Sequence, residues 1–173
     1  MVTEPVGDSA DLRDISRIAG RLKERIYAEL TIIAVTLGLA LSGSATHLSV
    51  TLSVVGTSLG LWLATLSAEI QAYRIAQGRM MPGAELRHML SSTSPLMTAG
   101  AGPLVFVGLS ALHVLPLTTA LHVSVAVGAA AMFLWGCVSG KRMGAGAFAA
   151  VVSGVANLLI GGIVIAVKLA AGH

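Results

Sequence analysis

Five stretches of this chain are apolar over close to the length needed to cross a bilayer: Ile26 to Leu41, Leu48 to Ala68, Leu96 to Leu115, Leu117 to Val138 and Ala145 to Val167. A helix rising 1.5 Å per residue needs about 20 mostly apolar residues to span the hydrocarbon core. No water is present there to satisfy backbone N–H and C=O groups, so each such stretch must close its own hydrogen bonds as a helix. The predicted architecture is therefore all-α: a polytopic membrane protein with five transmembrane helices. With charged residues at only 11% of a 173-residue chain, too few remain to cover a second, water-soluble domain. The sequence divides into a cytoplasmic N-terminal segment, residues 1–25, and a five-span membrane domain, residues 26–173.

The sparse cations fix an expected orientation. Arg13, Arg17, Arg21, Lys23 and Arg25 precede the first span. Arg74, Arg79 and Arg87 follow the second, and Lys141 and Arg142 follow the fourth. The loops around Ser44 to His47 and around His113 to Ala120 contain no Lys or Arg. Because basic residues stay on the cytoplasmic side, the N-terminus is expected inside and the C-terminus outside. Lys168, near the outer end of the last span, is expected to snorkel its ammonium into the headgroup region. Residues 1–25 have no apolar core and carry Glu4, Asp8, Asp11 and Asp14, unlike a signal peptide, so the N-terminus is expected to stay where it is made. The expected location is a cell membrane, of the bacterial inner-membrane kind. The basic balance, with a pI near 9.5, is topological: aromatics are few and no basic stripe exists, which argues against a nucleic-acid partner.

Leu12, Ile15, Ala19, Leu22 and Ile26 recur at helical spacing with Arg13, Arg17, Arg21 and Glu24 on other faces. Residues 10–28 therefore read as an amphipathic helix, lying along the inner leaflet or on the protein's own loops before the chain turns into the first span. The second span should continue as a polar helix through Glu69, Gln71 and Arg74 and stop near Gly78 or Met81-Pro82-Gly83. Pro103 and Pro116 should kink or end the third span. Small residues four apart (Gly56 with Gly60, Gly136 with Gly140, Ala150 with Gly154) let helix backbones approach closely, and intrachain packing is the expected use.

Function must reside in the few polar groups left within the spans. Glu29 stands at the cytoplasmic entrance of the first span with apolar sequence after it. A carboxylate there needs a proton, a cation or water, and so is a candidate metal ligand, the alternative being an interfacial ion pair with Arg25 one turn earlier. Glu69, at the inner end of the second span, is a second metal candidate, against a plain helix-end carboxylate. His47, His113 and His122 all map to the outer face, where imidazoles could bind a divalent metal or sense pH, although their spacing is not ligand-like. Asn157 is expected to fasten helices. Met80, Met81, Met89 and Met97 suit gap-filling at an interface more than soft-metal binding. Cys137, the only cysteine, reads as packing. Gly140 to Gly146 lacks P-loop spacing, and no nucleophile and base pair is visible, so neither an enzyme nor a bound cofactor is expected.

Taken in order, these landmarks resemble the vacuolar iron transporter family, in its bacterial and nodulin-like branch that lacks the cytoplasmic metal-binding domain. The resemblance rests on Glu29 followed by Leu41-Ser42-Gly43, on Ser58-Leu59-Gly60, Leu63-Ala64-Thr65 and Glu69 with Tyr73, and on Ser94-Pro95-Leu96, Ser139 to Lys141 and Leu158 to Gly162. It implies a homodimeric exporter of ferrous or manganous ions, driven by protons, with the first span lining the path and Glu29 from two subunits, aided by Glu69 or backbone carbonyls, as ligands. This chain departs from the family in lacking an acid at Ser53 to Val55 and in having Leu59 where the family has methionine. Those departures support an alternative: a non-transporting relative that acts as a membrane scaffold or regulatory partner.

Overall fold

The computed structural model describes residues 6–144 and 146–171, with the side chains of 6–19, 21 and 95 left out. All regular structure among the described residues is helical: α1 (Val6–Leu41), α2 (His47–Gln77), α3 (Gly83–Thr93), a 3-10 segment (Ser94–Gly100), α4 (Ala101–Ala111), α5 (Leu117–Arg142) and α6 (Ala147–Ala171). Four helical runs are long and apolar enough to cross a membrane: α2, the run Gly83–Ala111, α5 and α6. Their outward faces are apolar, as on α6, where Val151, Val152, Val155, Leu159, Ile160, Ile163 and Val167 are all exposed. A continuous apolar surface of this kind belongs against lipid and not against water. The chain is a multi-pass membrane protein.

The expected first span behaves differently. It is the C-terminal half of α1, a single unbroken helix of 36 residues. The separate amphipathic helix expected over 10–28 is continuous with it, because no proline interrupts Val6 to Leu41. The apolar stripe expected at Leu12, Ile15 and Ala19 lies outside the described side chains. On length and composition α1 is not one of the four candidate spans among the described residues, since its apolar half is short of span length and a longer stretch takes in Glu24 and Arg25 beside Glu29. Burial accounts for the difference: Ala28, Leu30, Ile32, Ile33, Ala34 and Thr36 are all buried. One core cluster joins Ile32 to Val50 and Val54 of α2, Val107 of α4 and Leu121 of α5. A second joins Leu30 and Ile33 to Met132 of α5, with Val164 and Ile165 of α6 alongside. A helix surrounded by other helices needs no all-round apolar surface, and so can carry an acid.

Helix ends follow local chemistry. Gly43 (φ 66°) stops α1 in the left-handed region that glycine tolerates. Thr46 then caps α2, its hydroxyl accepting from the Ser49 N–H while the Ser49 hydroxyl faces the Thr46 N–H. At the other end α2 runs on through Glu69 and Arg74 to Gly78 (φ 62°), whose N–H donates to the Arg74 carbonyl, as the sequence predicts. Pro116 starts α5. Pro103 lies in the first turn of α4, where a missing N–H is tolerated. Pro103 cannot donate to the carbonyl of Ala99, and the run Gly83–Ala111 is a helix broken by seven residues of 3-10 structure that has Pro95 in its first turn.

Close approaches hold the pieces together. A methyl on Gly136 would lie 2.7 Å from the Gly154 Cα, and one on Gly140 would lie 2.7 Å from the Ala150 Cα, so α5 and α6 pack backbone to backbone. Asn157 of α6 adds a hydrogen bond from Nδ2 to the Met132 carbonyl at 2.7 Å. The small residues of this seam serve intrachain packing, and the amide fastens two helices, as expected. Gly56 and Gly60 meet nothing within 4 Å. Lys168 departs from expectation. Its Nζ donates to the Thr31 hydroxyl of α1 at 2.7 Å and stands 4.7 Å from the centre of the Tyr27 ring, so it reaches back along the bundle. Helical side chains slant toward their own N-terminus, which sends this one inward.

Candidate cation cavity

Between α1, the 3-10 segment, α4 and α5 lies a cavity of about 200 Å³, room for several waters or a partly hydrated ion. Two tight contacts shape its walls. A methyl on Gly128 would meet the Ile33 side chain at 2.7 Å, which seats α5 on α1. A methyl on Gly100 would meet the Ser58 hydroxyl at 2.6 Å, which seats the 3-10 segment on α2. Most of the lining is apolar, including Ile32, Leu96, Phe106 and Val127.

The polar groups are few. Glu29 of α1 is half-buried in the wall. Thr36, seven residues on and so on the same helix face, is 1% exposed. Ser124 of α5 and Thr98 of the 3-10 segment complete the set. Thr36 donates its hydroxyl proton to the Ile32 carbonyl at 2.8 Å, and Ser124 donates to Ala120 at 2.8 Å. Each hydroxyl oxygen, having donated, still has lone pairs with which to accept or ligate. Ala99 and Pro103 both line the cavity, so the carbonyl that Pro103 cannot engage belongs to a lining residue. Irregular backbone at membrane depth is tolerated where it is buried in protein or lines a cavity, and this segment does line one. The oxygen-bearing side chains of the lining are therefore one carboxylate and the hydroxyls of Thr36, Ser124 and Thr98, chemistry suited to a hard or borderline cation.

Arg25 also lines this cavity, at the opposite end of α1's contribution from Thr36 and about 16 Å away along the helix axis. Its Cζ stands 5.3 Å from the centre of the Trp135 ring of α5. The guanidinium lies over that ring, and no salt bridge between Arg25 and Glu29 is found among the described residues. Glu29 thus lines the cavity and also stands within electrostatic reach of Arg25.

The other expected site residues do not join it. Glu69 is not among the cavity-lining residues; it follows Thr65 by one turn on α2, and Thr65 lines a different recess with Lys23 and Glu24. His47 opens α2, His113 follows α4 and His122 lies in the second turn of α5, and each has a local role. His47 Nε2 is 2.9 Å from the Ser110 hydroxyl. His113 (φ 61°) closes α4, its N–H donating to the Ser110 carbonyl. His122 Nδ1 donates to the Thr118 carbonyl at 2.7 Å. Among the described residues, no three His, Cys, Asp or Glu side chains are grouped to hold a metal ion. Sequence reasoning missed Thr36, Ser124 and Trp135. The seven-residue step from Glu29 to Thr36, and Pro95 and Pro103 bracketing one stretch, were the available signals. Compared with known proteins, the chain matches no family model, no curated protein and no solved structure.

Proposed function

We propose that the chain carries divalent cations across its membrane through the Glu29 cavity, as the resemblance to iron and manganese exporters implies. The observation that supports this most is Glu29 itself: a half-buried carboxylate in a cavity wall, with its nearest potential counter-ion, Arg25, turned to an aromatic ring. In this reading α1 is a fifth span, the N-terminus is cytoplasmic and the C-terminus external, and the protein works as a homodimer in a cell membrane.

The cation would shed part of its water on entering, with Glu29 supplying the single negative charge and Thr36, Ser124, Thr98 and the Ala99 carbonyl supplying neutral oxygens. One carboxylate per site gives weak affinity, in the high-micromolar range or above. Protons compete with a cation for the same carboxylate, which would couple the two fluxes and make binding fall as pH falls. The test is uptake of manganous ion by sealed vesicles containing purified protein. Wild type is expected to carry the ion, and Glu29→Gln, which keeps the shape and removes the charge, is expected to abolish flux. Wild-type rates from a folded Glu29→Gln protein would refute the role. No flux in the wild type under any gradient would favour a scaffold that has kept the fold and lost the path.

A further inference from the structure

Arg25 and Glu29 are four residues apart on an unbroken helix, so they share a face and are within reach of each other. Both line the same cavity, and their charges are close enough to interact. The guanidinium nevertheless lies over Trp135. Stacking on a ring and pairing across one helical turn are both weak interactions of similar size, so a guanidinium offered both can exchange between them.

We propose that Trp135 is a positioning residue that parks Arg25 away from Glu29, and that Arg25, once off the ring, is a tethered cation competing with the transported ion for the Glu29 carboxylate. This rests on the reading of the cavity as a cation path. Parked, Arg25 leaves the carboxylate open to an incoming ion. Released, it supplies the positive charge that an empty intramembrane carboxylate requires and closes the path to others. The site then alternates between cation-loaded and arginine-closed forms, with Trp135 setting the balance. No bond is made or broken; only a side chain moves. Arg25 is exposed and Trp135 is 37% exposed, so there is space for the change of rotamer.

The experiment is manganous-ion flux into sealed vesicles, with KM and maximal rate measured separately for wild type, Trp135→Leu, Trp135→Phe, Arg25→Gln and the double variant Trp135→Leu with Arg25→Gln. Losing the ring removes an interaction between exposed groups whose size permits a rise in KM of about two- to five-fold. The maximal rate should change little. Trp135→Phe keeps an aromatic face and should stay near wild type. Arg25→Gln removes the competitor and should lower KM. In the Arg25→Gln background, Trp135→Leu should have no further effect. That last comparison separates parking from packing, because a structural role for the indole would raise KM whether or not Arg25 is present. An unchanged KM in Trp135→Leu, or an equal rise in both backgrounds, overturns the proposal while leaving the Glu29 path intact. Absence of wild-type flux overturns both. Should Trp135→Leu not fold, Arg25→Gln decides: KM must fall, and a KM equal to or above that of wild type overturns the proposal.

Discussion

A single methyl group tests the backbone packing of α5 on α6. In Gly136→Ala the new Cβ would lie 2.7 Å from the Gly154 Cα, 2.8 Å from the Ser153 carbonyl oxygen and 2.9 Å from the Asn157 Cβ. Two of those three atoms are backbone, so no rotamer change relieves the contact. Ordinary contact starts near 3.4 Å, so the helices must part by roughly 0.7 Å. Overpacking of this kind costs about 1–3 kcal/mol, offset by the 0.5–1 kcal/mol or so that alanine gains over glycine within a helix. The net expectation is a loss of about 1–2 kcal/mol. Parting the helices would also stretch the 2.7 Å bond from Asn157 to the Met132 carbonyl, which pushes the loss toward the upper end. Gly56→Ala is the matched control: the same change on a helix where the added methyl meets nothing within 4 Å. It should be neutral or slightly stabilising. Reversible unfolding in mixed micelles with rising dodecyl sulfate, followed by circular dichroism, gives both values on one scale. A Gly136→Ala protein as stable as wild type would refute the reasoning, because it would mean the seam has slack that these distances do not allow.

Pro103→Ala offers the Ala99 carbonyl an N–H that proline cannot and should regularise the broken helix; flux is expected to fall several-fold in a protein that remains folded, and unchanged flux would remove that carbonyl from the path. Orientation is testable after Cys137→Ala: cysteine at Thr118 should react with an impermeant thiol reagent from outside intact cells, whereas cysteine at Gln77 should react only after permeabilisation, and the opposite pattern would invert the topology.

Much of the scaffold was legible in the sequence because it rests on local or one-dimensional signals. Long apolar runs gave the helices, Gly78 gave the end of α2 through its left-handed φ, and small residues four apart gave the α5 and α6 seam. What depended on neighbours was not legible. Hydropathy shows that α1 is apolar after Arg25; it does not show that α1 is enclosed by α2, α4, α5 and α6. Lys168 was misplaced because snorkelling assumes that the nearest water is the best partner for an ammonium, whereas a threonine hydroxyl and a tyrosine ring stand in its path. Glu29 was found because a charge in an apolar run is conspicuous. Thr36 and Ser124 were not, because a hydroxyl that bonds its own helix is ordinary in any membrane span, and only the cavity distinguishes these two. Trp135 acquires significance only from Arg25, over a hundred residues earlier.

The unbroken course of α1 has a mechanical consequence. On the reading of α1 as a fifth span, its thirty-six helical residues, about 54 Å long, exceed a hydrocarbon core of about 30 Å, so a rod of roughly 20 Å would project beyond the bilayer in line with the candidate acid. The chain's left-handed glycine joints lie at Gly43, Gly78 and Gly144, none of them between that projecting rod and Glu29. With no such joint to absorb it, a push, pull or twist on the N-terminal end of α1 would be delivered to the carboxylate as a displacement of the whole shaft. On that reading the N-terminal third of the helix would be a lever arm whose load is the cavity wall.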